Sequence, residues 1–174
     1  MLWEALLPGA ETGRTRGVNV GQCADSESEC LYLATDSRAT ENSAGLHVVA
    51  VRLQTGELLW QFSSSYAATG GLYWSTPAVP VLMDLDQDRH NDTLVIGDLT
   101  GQLWALNLND GNAYGGAPVY TVPANIEEPI GAAVSVYGNT VVFGTGGVAG
   151  SDEQQQYALY KVKISSEGGS LLWR

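Results

Sequence analysis

Apolar and polar positions alternate along this chain in short runs, and the runs recur in a fixed order. Val49, Val51 and Leu53 alternate with their neighbours, as do Leu103, Ala105 and Asn107. A period of two marks a strand with one face buried. Residues 46–60, 102–122 and 157–173 each read as a strand, a glycine-containing turn and a second strand ending on an aromatic residue. Thr55-Gly56, Asp110-Gly111 and Glu167-Gly168-Gly169 are hairpin turns, where glycine takes positive φ. Ahead of these hairpins run strands at 30–35, 93–97 and 140–144, and ahead of those at 17–21, 76–83 and 129–136. The pattern predicts three units of four strands, closed by Trp60, Tyr120 and Trp173 at intervals of 60 and 53 residues.

A period in the fifties built from four strands is the signature of a β-propeller blade. The expected fold is therefore all-β: a partial β-propeller of about three four-stranded antiparallel blades. Blade 1 covers about 14–62, blade 2 about 74–122 and blade 3 about 128–174. Residues 1–8, with Leu2-Trp3, resemble the closing strands at Leu59-Trp60 and Leu172-Trp173 and read as the last strand of a preceding blade. Closed propellers usually have about four to eight blades. The chain is thus expected to be a piece of a larger propeller, with self-association through open strand edges as the other route to closure.

Composition narrows the function classes. Of 174 residues, 44% are hydrophobic and only 16% charged, with 21 glycines, which suits strands and turns better than a helical bundle. The net charge of −11 excludes a nucleic-acid surface, since no basic stripe exists to neutralise phosphates. Lys161 and Lys163 share one expected strand; the other cations are scattered. No apolar run is long enough to span a bilayer. The first eight residues lack the features of a signal peptide, which carries no weight if the chain is an excised piece.

The densest chemistry lies in Asp84-Leu-Asp-Gln-Asp-Arg-His-Asn-Asp92, with carboxylates at positions 1, 3, 5 and 9 of the loop. Hard cations such as calcium take six to eight oxygen ligands, and four neighbouring carboxylates repel one another without one. The loop leads into a strand, and Val95 stands where an EF-hand places its bidentate Glu. Two readings fit: a calcium site, which is preferred, and a solvated acidic turn. Bound metal in such a loop would chiefly stabilise a blade.

Cys23 and Cys30 flank an acidic segment of six residues. A disulfide closing a short hairpin is preferred over two free thiols and would imply an oxidising compartment. Zinc is not expected, because His47 and His90 have no ligand spacing to these cysteines. Trp60, Trp104 and Trp173 are expected to pack between blades. Tyr66, Tyr73 and Trp74 form an aromatic cluster in a Gly/Ser-rich connection; such loops carry partner contacts in propellers, and a loop tucked against its own blade is the commoner outcome. The glycine-rich stretch 144–150 has no following helix and no Lys-Ser/Thr, so it reads as a solvated connection continued by Asp152 and Glu153, not a phosphate loop.

Residues 49–60, with their Thr-Gly turn and Leu-Leu-Trp strand, resemble the quinoprotein-type propeller blade, a motif shared by enzymes and scaffolds. A narrower likeness runs through residues 74–108. There Trp74-Ser-Thr-Pro-Ala leads through the acidic loop to Gly97-Asp-Leu-Thr-Gly-Gln-Leu-Trp104. This order is similar to the propeller domain of the PilC/PilY family, proteins of the tip and assembly of type IV pili. The resemblance implies Ca2+ held by the side chains of Asp84, Asp86, Asp88 and Asp92 with the backbone carbonyl of His90. It also implies protein partners, either pilus components or a host surface, and a cell-surface, extracellular or periplasmic location. The chain departs from the family at Arg89, where the loop usually has glycine, so the turn there carries a conformational cost. A weaker resemblance exists to integrin-type calcium repeats.

Quinoprotein dehydrogenases share the blade, but their usual adjacent-cysteine disulfide is missing and no Cys-x-x-Cys-His occurs. No nucleophile–base pair is evident in the sequence, so catalysis is not expected. The alternatives to a calcium-binding, non-enzymatic pilus module are an envelope protein–protein scaffold and, less favoured, a piece of a PQQ-dependent dehydrogenase.

Overall fold

The computed structural model describes residues 15–25, 27–39, 43–67, 78–123, 129–146 and 158–174. Twelve strands form three separate four-stranded sheets, each a meander in which consecutive strands pair antiparallel. Blade 1 holds β1 (Thr15–Gln22), β2 (Glu29–Ala39), β3 (Ser43–Arg52) and β4 (Leu58–Ala67). Blade 2 holds β5 (Val81–Met83), β6 (Thr93–Gly97), β7 (Gln102–Asn107) and β8 (Tyr120–Thr121), with a 3₁₀ turn at Tyr114–Gly116 before the last strand. Blade 3 holds β9 (Ser135–Tyr137), β10 (Thr140–Gly144), β11 (Leu159–Ser165) and β12 (Gly168–Trp173). The three sheets form a partial propeller: the first strands lie side by side, β1 against β5 and β5 against β9. The approach of β1 to the segment leading into β5 needs glycine, since a Cβ on Gly17 would lie 2.2 Å from Val79 Cγ2.

Two apolar layers hold the blades together. Tyr32, Val48, Ala50 and Trp60 of blade 1 pack on Leu94, Ile96, Trp104 and Leu106 of blade 2. The opposite face of blade 2, with Val95, Leu103 and Ala105, packs on Val141, Phe143, Tyr160 and Val162 of blade 3. This explains why all five residues of β6 are buried: the middle blade is covered on both sides. Each fully buried aliphatic or aromatic side chain contributes about 1.5–3 kcal/mol, so these layers dominate stability.

The aromatic residues closing blades 1 and 2 point toward the next blade. In the Leu-Leu-Trp strands the pairing register shifts by one residue, between Ala50/Val51 and between Lys161/Val162, so Trp60 lies opposite Ala50 and Trp173 opposite Lys161. Trp60 reaches blade 2, where its Nε1–H donates to Leu108 O at 2.8 Å. Its ring lies over Gly111, which has φ 73°; a Cβ there would meet Trp60 Cε3 at 2.5 Å, so that turn requires glycine twice over. Tyr120 of blade 2 likewise meets Phe143 and Tyr160 of blade 3, with centroids 6.3 and 6.0 Å away.

Trp173 departs from the expectation of inter-blade packing. It is 45% exposed, because the equivalent face of blade 3 is not covered by a further blade among the described residues. Two other expectations shift. The first strand of blade 3 is only Ser135–Tyr137, because residues 129–134 are anchored elsewhere, with the Ile130 amide donating to Asp98 O at 2.8 Å. β4 extends to Ala67, since its polar Ser-rich half still pairs with β3. The expected closing strand at 1–8, Tyr73, Trp74, the side chain of Tyr66, and residues 147–157 lie outside the described residues.

Candidate metal centre

The acidic loop joins β5 to β6. The pair Met83↔Thr93 fixes its two ends, and the Asp92 amide donates to Met83 O at 3.1 Å. Within it Asp84, Asp86 and Asp88 each bring a carboxylate oxygen to within 4.8 Å of the others. The backbone turns under these groups. The Asp88 amide donates to both Asp84 Oδ1 and Asp86 Oδ1 at 3.1 Å, Arg89 N to Asp84 Oδ2 at 2.8 Å, and His90 N to Asp88 Oδ1 at 2.8 Å. Gln87 and Arg89 adopt φ of 65° and 79°, a region that L side chains rarely occupy. Both positions carry strain, and Arg89 is where the sequence led to the expectation of a conformational cost.

Asp92 is placed differently from the other three. Its Oδ1 accepts from Leu85 N at 2.9 Å and from the Thr93 hydroxyl at 2.7 Å, and its Oδ2 lies 3.3 Å from the Asp86 amide. It closes the loop from the far end and lies outside the cluster of three. The His90 side chain is exposed, and only its amide is engaged with the cluster.

Electrostatics set this loop apart. The Asp88 amide works to lower the pKa of Asp86, but partial desolvation and the charges of Asp88, Asp92 and Asp84 outweigh it, so the carboxyl sits above its ordinary value. Each carboxylate offers about four acceptor positions, and the amides occupy only some of them. The free positions are hard oxygen donors with excess negative charge, a donor set that fits calcium and not a soft metal. The residues present therefore fit the ion implied by the resemblance.

Sequence reasoning missed two neighbours of the loop. Leu85, between the first two aspartates, packs against the core shared by blades 2 and 3. Tyr114, in the 3₁₀ turn, packs on the same core, and its hydroxyl lies 3.2 Å from that of Thr93. Burial pushes the Tyr114 hydroxyl pKa up; the Thr93 contact opposes this, and the charges of Asp92, Asp110 and Asp86 add to it. The only signal in the sequence was an apolar residue inside an acidic run; Tyr114 gave none, being far from the loop in sequence.

The Gly-Asp-x-x-Gly-x-Leu-Trp hairpin has a different role. Asp98 is 1% exposed, and its Oδ1 accepts from Thr100 N, Thr100 Oγ1 and Gln102 N at 2.9, 2.8 and 3.0 Å. Its Oδ2 accepts from Trp104 Nε1 at 2.9 Å. This carboxylate is fully occupied and locks the β6–β7 turn to the inter-blade tryptophan.

Cys23 and Cys30 are joined by a disulfide that closes the β1–β2 hairpin, and both are buried. Above it, Arg52 pairs with Asp25 at 2.9 Å and Glu57 at 3.2 Å. Arg52 and the Ser28 hydroxyl hold the Asp25 carboxyl down at about 2. His47, buried in β3, has Nδ1 2.6 Å from Ser63 Oγ. This is a cross-strand partner pair in the β3–β4 ladder, invisible in the linear sequence. Among the described residues no helix is long and apolar enough to cross a membrane.

Neither a protein-family model nor a curated protein matches the sequence. Among solved structures, the fold is similar to that of the Pseudomonas aeruginosa PilY1 C-terminal domain, with a TM-score of 0.58 and 22% identity over 87% of this chain. The chain spans 38% of that solved chain. At this level of identity the likeness establishes the fold.

Proposed function

We propose that this chain is a calcium-binding, non-catalytic propeller module of a type IV pilus-associated tip or assembly protein, acting at the cell surface or in the periplasm. The observation that carries the reading is the convergence of Asp84, Asp86 and Asp88 in a strand-to-strand loop of a fold similar to the PilY1 C-terminal domain. Asp84, Asp86 and Asp88 would hold the ion, with His90 O as the backbone ligand, and Asp92 would keep the loop closed around it. When bound, calcium supplies the positive charge that offsets carboxylate repulsion in this loop. The chain's own part is to keep the three side chains converged before the ion arrives. The disulfide at Cys23–Cys30 supports an oxidising location. Its non-adjacent cysteines differ from the usual pattern of a quinoprotein dehydrogenase.

A scaffold function fits inside this proposal. The far face of blade 3 exposes Tyr137, Leu159 and Trp173 around Lys161 and Lys163, a surface suited to protein contact. The test of the metal reading is a calorimetric calcium titration of metal-stripped protein beside the double variant Asp84→Ala/Asp86→Ala. Saturable heat that disappears in the variant is expected. No heat from a folded sample would reduce the loop to a solvated turn and leave the scaffold as the account.

A further inference from the structure

Leu85 and Tyr114 connect the acidic loop to a part of the molecule that the metal reading does not involve. Leu85 stands between Asp84 and Asp86, so any change that draws those carboxylates together also fixes its backbone. Its amide is already clamped by Asp92 at 2.9 Å, and its side chain packs on the layer formed by Val95, Leu103, Phe143 and Tyr160. That layer is what holds blade 3 to blade 2.

A second, polar route starts at the other end of the loop. Asp92 accepts from the Thr93 hydroxyl at 2.7 Å, and that hydroxyl lies 3.2 Å from the Tyr114 hydroxyl. The backbone is tied in as well, since Leu108 N donates to Asp92 O at 2.9 Å. Tyr114 opens the connection that runs to β8, and this connection crosses to blade 3. Val119 O accepts the Gly169 amide of β12 at 2.8 Å. The crossing is tight, since a Cβ on Gly169 would lie 2.6 Å from Val119 O. Contacts therefore lead from Asp92 through Thr93 to Tyr114, the chain runs on from Tyr114 to Val119, and Val119 bonds the outer strand of blade 3.

From this arrangement we propose that calcium occupancy of the 84–92 loop controls how firmly blade 3 is held against blade 2, with Leu85 and Tyr114 as the coupling residues. The proposal rests on the calcium reading above and adds to it a conformational output. Ligand that binds only the closed loop suppresses every opening that disrupts the loop. Where the inter-blade layer and the Tyr114 connection open together with the loop, they inherit the same protection. The output is thus a change in the lifetime of the blade 2–blade 3 junction, and with it of the open face carrying Lys161, Lys163 and Trp173. Neither coupling residue is a ligand, so the two functions separate by mutation.

Hydrogen exchange read by mass spectrometry on the full chain tests this, with and without calcium, beside a calorimetric titration of the same samples. With calcium at about a hundred times its dissociation constant, protection is expected to rise about tenfold to a hundredfold. The rise should cover 84–92 and also 113–119 and 168–173. Leu85→Ala and Tyr114→Phe should still give saturable calcium heat and protect 84–92, while losing most of the gain at 168–173. Calcium heat with protection confined to 84–92 in the unaltered chain would overturn the coupling and leave the metal reading intact. No calcium heat at all would overturn both. Should Leu85→Ala fail to fold, Tyr114→Phe, which removes a single hydroxyl, carries the test.

Discussion

Asp98 and Asp86 sit on the same blade, one in the β6–β7 hairpin and the other in the β5–β6 loop, and their carboxylates meet opposite surroundings. Asp98 is buried, yet four donors from Thr100, Gln102 and Trp104 occupy its oxygens. Asp86 is exposed, yet against the pull of the Asp88 amide, partial desolvation and the charges of Asp88, Asp92 and Asp84 raise its pKa. The first carboxylate is satisfied by the chain itself. The second has acceptor positions and negative charge that the chain leaves uncompensated. Burial alone would single out Asp98; the inventory of partners shows that its oxygens are occupied and that Asp86 keeps acceptor positions open.

The comparison can be broken most forcefully at Asp98. Asp98→Ala leaves the Trp104 indole N–H and two backbone amides without their acceptor inside the protein, at a cost of about 1–3 kcal/mol for each buried donor. A total loss of about 3 kcal/mol or more is expected in urea unfolding. A loss below about 1 kcal/mol would mean that water or a rearranged turn replaces the carboxylate.

A smaller effect of opposite sign is expected at Arg89. Its φ of 79° is strained for an L side chain. Arg89→Gly should stabilise the metal-free protein by about 1 kcal/mol, the left-handed penalty less the added chain entropy. An unchanged unfolding midpoint would show that the loop relaxes without cost.

The smallest effect is read by pH. Asp25 is held at about 2 against an ordinary 3.8, chiefly by Arg52. A lowered carboxylate pKa contributes stability above the unfolded value, and that contribution fades as pH falls from about 4 toward 2. Asp86 has the reverse sign: its raised pKa makes the native state bind the proton more readily, so its contribution is full below the ordinary 3.8 and falls as pH rises above that value. Asp25→Asn should flatten the acid limb of a stability–pH curve, whereas Asp86→Asn should steepen it. Equal slopes in both variants would contradict the assignment of opposite environments.

Much of this was readable from residue order, because it is local. Thr93–Gly97 and Thr140–Gly144 are strands as their short apolar runs and place in the repeat indicate. Gly56, Gly111 and Gly168 take positive φ in the turns where they were expected. The acidic loop announced itself by the spacing of its aspartates. What stayed hidden depends on contacts distant in sequence. Tyr114 reaches Thr93 only because the β7–β8 connection folds back, and the Ser-rich end of β4 shows no alternation although it pairs with β3. Trp173 looked equivalent to Trp60, and its strand position is equivalent; only the absence of a covering sheet among the described residues makes it exposed.

The most direct test of the central claim is the calcium-induced gain in unfolding free energy, measured in urea for the unaltered chain, Asp98→Ala and Asp84→Asn/Asp86→Asn. At calcium about a hundred times its dissociation constant, the gain should be about 2.7 kcal/mol in the first two and absent in the third. An equal gain in all three, or none in the unaltered chain, would contradict the assignment of the 84–92 loop as the cation site.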